Sequence, residues 1–182
     1  LEAAERLEKD GSLSKAQEIY EKFLADHPDH IQAADTRYHL GVLYDHRGEP
    51  DKCIDMLGKA LEGEKSDTFK HREDAFMHLG KLQASLSRHD DAVKTVTRFL
   101  EEGAGLYEEE VYNLCGGYHA IVGNFEKSAA MFNILARRQD GPFKQEAAYK
   151  LAVVWLKAGK VDLAIKAVED FARDNRGHPR TP

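Results

Sequence analysis

The sequence predicts an all-α fold, a stack of antiparallel helix hairpins, on three observations. Apolar residues recur at i, i+3, i+4 and i+7 from end to end, while strand signals are scarce. Short turns bearing Gly, Asp or Pro interrupt that pattern at regular intervals. The small residue inside every second helix falls at Ala16, Cys53, Ala92, Ser128 and Ala164, with spacings of 37, 39, 36 and 36, so that five repeats fill the 182 residues.

The first repeat, residues 1–32, begins already inside its first helix, turns at Gly11, carries Ala16 and Tyr20 in its second helix and closes at Pro28. The second, 33–70, runs its first helix through Thr36–Tyr44 around Gly41, turns at Gly48, and continues with Cys53 and Leu57. The third, 71–106, repeats the design with Gly80, Ser87, Ala92 and Val96, and the fourth, 107–142, with Gly116, Gly123, Ser128 and Phe132. The fifth, 143–179, places Ala147–Trp155 around Ala152 and follows it with Gly159, Ala164 and Val168. A missing side chain at Gly41, Gly80 and Gly116, or a methyl at Ala152, lets the two helices of a hairpin approach closely. The turn position favours a residue tolerant of positive φ, so Ser87 predicts a less regular turn than its four glycine counterparts. Asn175–Pro179 reads as a linker into another repeat, and a fragment of a longer array is expected.

Composition narrows the function. At 42% hydrophobic and 32% charged the chain is neither disordered nor membrane-embedded, and a net charge of −6 argues against a phosphate-neutralising surface. No nucleic-acid partner is expected. No apolar run approaches the roughly 18 residues that cross a bilayer, so direct membrane insertion is not expected either. Because residue 1 is Leu and not Met, the start of the chain leaves the compartment open between cytoplasm and periplasm. Cys53 and Cys115 lie in apolar helical contexts and are expected as buried free thiols.

Leu40-Gly41-x2-Tyr44 with Gly48, Ala16-x3-Tyr20 with Pro28, and Leu151-Ala152-x2-Trp155 with Gly159 and Ala164 resemble the tetratricopeptide repeat, whose pattern runs W-x2-L-G-x2-Y, A-x3-F, P. Gln83 and His119 depart from the expected aromatic, and Cys53 and Ser128 from the expected Ala. The resemblance implies a single right-handed superhelical solenoid over 1–182, with first helices lining a concave groove. It places Tyr38, Met77, Asn113 and Tyr149 three residues before the small position of the first helix, and Val42, Lys81, Gly117 and Val153 one residue after it. Four residues after it come Asp45, Ala84, Ala120 and Leu156. Gly117 and Ala120 are expected to leave room between Met77 and Tyr149 for a partner's side chain. Lys81, Asn113 and Lys150 do not follow the pattern of a carboxylate clamp.

Asp35, Asp74, Glu110 and Glu146 put an acid in the first turn of four consecutive first helices, where the helix dipole favours an anion. The same acids are expected to form an acidic rim for a basic partner. His39 and His78 follow two of them by four residues, a spacing that predicts Asp35–His39 and Asp74–His78 pairs. His71, Asp74 and His78, and likewise His27 and His30, match no recognised metal spacing, so no metal and no other cofactor is assigned. No nucleophile elbow, phosphate-binding loop or dinucleotide fingerprint occurs, and no catalytic residue is assigned. The expected function is a scaffold that binds a peptide or helix of a partner protein in its groove. The alternative is self-association, a structural unit stacking through its open ends.

Overall fold

Two α-helices lie in each of the five predicted intervals. The computed structural model describes residues 1–62 and 68–174, so that the proposed linker Asn175–Pro179 lies outside the described residues. The helices are α1 (Glu2–Lys9), α2 (Leu13–Asp26), α3 (Ala33–His46), α4 (Pro50–Leu61), α5 (Arg72–Ser85), α6 (His89–Glu102), α7 (Glu108–Ile121), α8 (Phe125–Ala136), α9 (Lys144–Lys157) and α10 (Val161–Asp174). No strand occurs among the described residues, and a single 3₁₀ turn, Gly105–Tyr107, leads into α7. The fold is all-α.

One turn is used five times. Gly11, Gly48, Gly123 and Gly159 all hold φ between 72° and 79°, and Ser87 holds φ 60°. The expectation of a less regular turn at Ser87 is thus corrected: serine accepts the left-handed conformation that its counterparts reach without a Cβ, at some steric cost. Within each unit the connection is short enough to reverse the chain, so that α1–α2, α3–α4, α7–α8 and α9–α10 pack as antiparallel hairpins.

The chain divides into two compact units, Leu1–Ser87 and a second that begins at Arg88. In the first, α1 packs on α2, α2 on α3, α3 on α4 and α4 on α5. Its core holds Ala16, Tyr20, Leu40, Leu43, Cys53, Leu57 and Phe76, all nearly closed to solvent. In the second, α6 packs on α7, α7 on α8, α8 on α9 and α9 on α10. There Phe132, Leu135, Ala147, Leu151 and Val154 share one apolar cluster with Ala129.

The predicted close approaches have physical counterparts. A Cβ on Gly41 would stand 3.1 Å from Leu57 Cδ2, and one on Gly116 only 2.8 Å from the Phe132 ring. Each large side chain therefore seats on the backbone of the facing helix, which is why the sequence pairs the two positions. All five small positions, Ala16, Cys53, Ala92, Ser128 and Ala164, are buried. Ser128 is tolerated because its hydroxyl donates to the Gly116 carbonyl across the hairpin at 2.7 Å, leaving no orphaned polar group.

Candidate functional site

The first-helix surfaces are built separately in each unit. In the first unit the candidate residues are Tyr38 and Val42 on α3 and Met77 and Lys81 on α5. Tyr38 is half-buried and stacks on His71 at 4.7 Å, with the rings 5° from parallel. Burial pushes its hydroxyl above the usual tyrosine range, and the charge of Asp74 adds to that. Lys81 is exposed and Val42 half-buried. Met77 departs from expectation. At 5% exposed it fills space as an adaptable core side chain and does not present itself to a ligand.

In the second unit the candidates sit on α7 and α9. Asn113 and Gly117 are one turn apart on α7, and Tyr149 and Val153 one turn apart on α9. Lys150 Nζ donates to Asn113 Oδ1 at 3.1 Å, tying the two rows together, and also meets Glu146 at 2.6 Å. A Cβ on Gly117 would meet nothing within 4 Å, while Tyr149 is 71% exposed. Ala120 packs against the apolar cluster beneath, so its small side chain serves the core more than the surface.

The four acids occupy first turns, as the sequence implies. Asp35 does not form an open rim: its carboxylate accepts from the His71 ring at 2.9 Å and from the His71 backbone N–H at 3.3 Å. His39 and His78, expected to pair with an acid on their own helix, each contact an acid on another helix. His39 meets Glu8 at 3.1 Å, and His78 Nε2–H donates to Asp45 Oδ2 at 2.7 Å. These partners stand on other helices, and nothing in the helical spacing announces them. Asp35, His39 and His71 also line a cavity of about 380 Å³ in the first unit, together with Glu8 and Tyr20. Tyr20 donates to Glu8 at 2.9 Å, and its hydroxyl is held far above the usual range by burial and by that carboxylate.

Both cysteines are buried free thiols. Burial, with a contribution from the Asp45 carboxylate, pushes the Cys53 thiol up to about 12. Burial raises the Cys115 thiol as well, against the opposing influence of Thr97. Among the described residues, Asp45, Cys53 and His78 bring a carboxylate oxygen, a sulfur and an imidazole nitrogen within 4.8 Å of one another. Their separation along the chain hid this from motif reading. His119, in the place of the expected aromatic, is 4% exposed, its Nδ1 has no hydrogen-bond partner among the described residues, and burial lowers its pKa.

Paired helices recurring with the same left-handed turn between them define a repeat scaffold. Comparison with known proteins specifies which. Residues 122–179 match the family model described as tetratricopeptide repeat. No curated protein sequence matches the chain. Among solved structures, YrrB, described as a TPR protein with an unusual peptide-binding site, is 21% identical, with a TM-score of 0.68 over 96% of this chain and 84% of its own. A structure of MamA is 18% identical, with a TM-score of 0.69 over 98% of this chain and 91% of its own. A putative kinesin light chain from Podosopora anserina with nearly identical TPR-like repeats is 14% identical, with a TM-score of 0.63 over 99% and 95%. Residues 122–179 thus match the tetratricopeptide repeat, and the fold of the chain is that of proteins built from it. That fold is in general a scaffold for protein–protein interaction. Among the described residues no helix is long and apolar enough to cross a membrane.

Proposed function

We propose that the chain holds an extended peptide or an amphipathic helix of a partner protein against its first-helix surface. The observation that carries this reading is the open space at Gly117, beside the Asn113–Lys150 hydrogen bond and the exposed Tyr149. An amide and an ammonium can bond a partner's main chain, an empty position can admit a side chain, and a tyrosine supplies broad contact at low entropic cost. The likeness to YrrB supports the reading by analogy of fold alone. A basic partner is favoured by the net charge of −6 and by Asp74, Glu110 and Glu146. Two acids of the proposed rim already hold a basic group of the chain itself, Asp35 the His71 ring and Glu146 the Lys150 ammonium.

The test is to identify partners by capture on the intact chain and then measure their affinity for Gly117→Arg. The arginine fills the open space without touching the hairpin core, so affinity falls by at least about tenfold with the melting temperature unchanged. Unchanged affinity, or unfolding of the variant, contradicts the placement. Added salt weakens binding if the acids contribute, because exposed charges are screened beyond about 8 Å at physiological ionic strength.

Self-stacking is favoured by a separate observation. Val161, Ile165 and Val168 share one side of α10 and are each at least 52% exposed, an apolar face of the kind a neighbouring hairpin covers. Light scattering over a micromolar concentration series distinguishes the two: a constant mass favours the partner scaffold, growth with concentration favours stacking.

A further inference from the structure

We propose that Asp45, Cys53 and His78 form a binding site for a divalent transition metal of the zinc class. The sequence assigns no metal because its histidine groups match no recognised spacing, and these three donors come from three different helices. Asp45 closes α3, Cys53 stands one turn into α4, and His78 lies mid-way along α5. Folding brings their donor atoms within 4.8 Å of one another, with His78 Nε2 and Asp45 Oδ2 already 2.7 Å apart.

Bond lengths of about 2.3 Å to sulfur and about 2.0–2.1 Å to nitrogen and oxygen set tetrahedral donors about 3.3–3.6 Å apart. Loading an ion therefore asks the His78–Asp45 contact to open by less than about 1 Å while Cys53 closes in, movements within the range of side-chain adjustment. Thiolate, imidazole and carboxylate together suit zinc or cobalt, and are a poor set for magnesium or calcium, which prefer oxygen alone. The layout is graded in depth: Cys53 is fully buried at the base, while the side chains of His78 and Asp45 are 25% and 35% exposed. The ion would enter from the half-open side, where water supplies the fourth ligand, and the Cys53 thiol would give up its proton to solvent. The position of Cys53 adds an independent point. Ala16, Ala92 and Ala164 show that a methyl suffices for packing there, so the sulfur is chemically surplus to the hairpin.

The test uses the full, reduced chain titrated with Co²⁺ as a spectroscopic probe, followed by Zn²⁺. One equivalent of Co²⁺ produces a thiolate-to-cobalt charge-transfer band in the near ultraviolet, and Zn²⁺ abolishes it. Cys53→Ala removes the band, and the alanines at the equivalent places of other repeats indicate that the variant folds. Cys115→Ala retains it, since that thiol faces Thr97 Oγ1 at 3.7 Å and, among the described residues, no set of imidazole and carboxylate partners. His78→Gln, a change at a partly exposed side chain, weakens Co²⁺ binding at least about tenfold and decides the matter even if Cys53→Ala misfolds. Absence of the band in the wild type, its survival in Cys53→Ala, or unchanged affinity in His78→Gln overturns the site. Surface histidines can bind cobalt but cannot produce a sulfur band.

Discussion

Phe132 on α8 and Val168 on α10 hold the same place in successive repeats, four residues after the small position, yet one is 1% exposed and the other 54%. Their own hairpins are alike: α8 lies against α7 as α10 lies against α9. What differs is that α9 also packs on α8, with Ala147, Leu151 and Val154 joining Phe132 in one cluster. A repeat therefore closes only half of its second helix by itself. The neighbour that follows closes the rest, and the stability of any one helix is a property of two hairpins.

The comparison breaks most visibly at Phe132. Phe132→Ala removes a fully enclosed ring and is expected to cost about 3–5 kcal/mol, read from denaturant midpoints. Gly116→Ala approaches the same contact from the other side. Its methyl would stand 2.8 Å from the ring, and overpacking is expected to cost about 1–3 kcal/mol. A loss below a few tenths at Gly116 contradicts the close seating of Phe132.

His119 sharpens the comparison through pH. It lies on α7, buried, with its pKa lowered first by desolvation and then by the charge of Lys127. The folded chain therefore resists a proton that the unfolded chain accepts at an ordinary value of about 6.5. This contribution to stability is fully present above about pH 6.5 and is lost as pH falls from there through the depressed folded value. His119→Phe, which restores the apolar bulk expected at this position, should reduce the fall in melting temperature between pH 7.5 and 5.5. An equal fall in both proteins contradicts the burial of a neutral ring. Smallest of all is Val168→Ala, expected to change stability by no more than about 0.5 kcal/mol, as for an exposed side chain.

Much of the fold was legible because the repeat writes itself in local chemistry. Small residues, their apolar partners and the left-handed turn recur at fixed offsets, and each answers a constraint within one hairpin. Ser87 shows the limit of reading chemistry alone: serine adopts the turn that glycine is expected to need. The candidate surface was less legible, because its side chains answer to helices distant in sequence. Tyr38 stacks on His71, Asp35 binds His71, and His78 binds Asp45. Those partners lie a whole repeat away, and periodicity within a helix carries no information about them. Met77 was expected on the surface because its offset matches Tyr149, yet the same offset gives 5% exposure in one case and 71% in the other. The Asp45, Cys53 and His78 cluster escaped motif reading for the same reason.

Native-state hydrogen exchange tests most directly whether a following hairpin is what secures a second helix. Amides around Phe132 in α8 should exchange at least about tenfold more slowly than those around Val168 in α10, because α8 is covered by both α7 and α9 while Val168 is exposed. Equal protection along the two helices would show that each hairpin is secured from within, and would contradict the account.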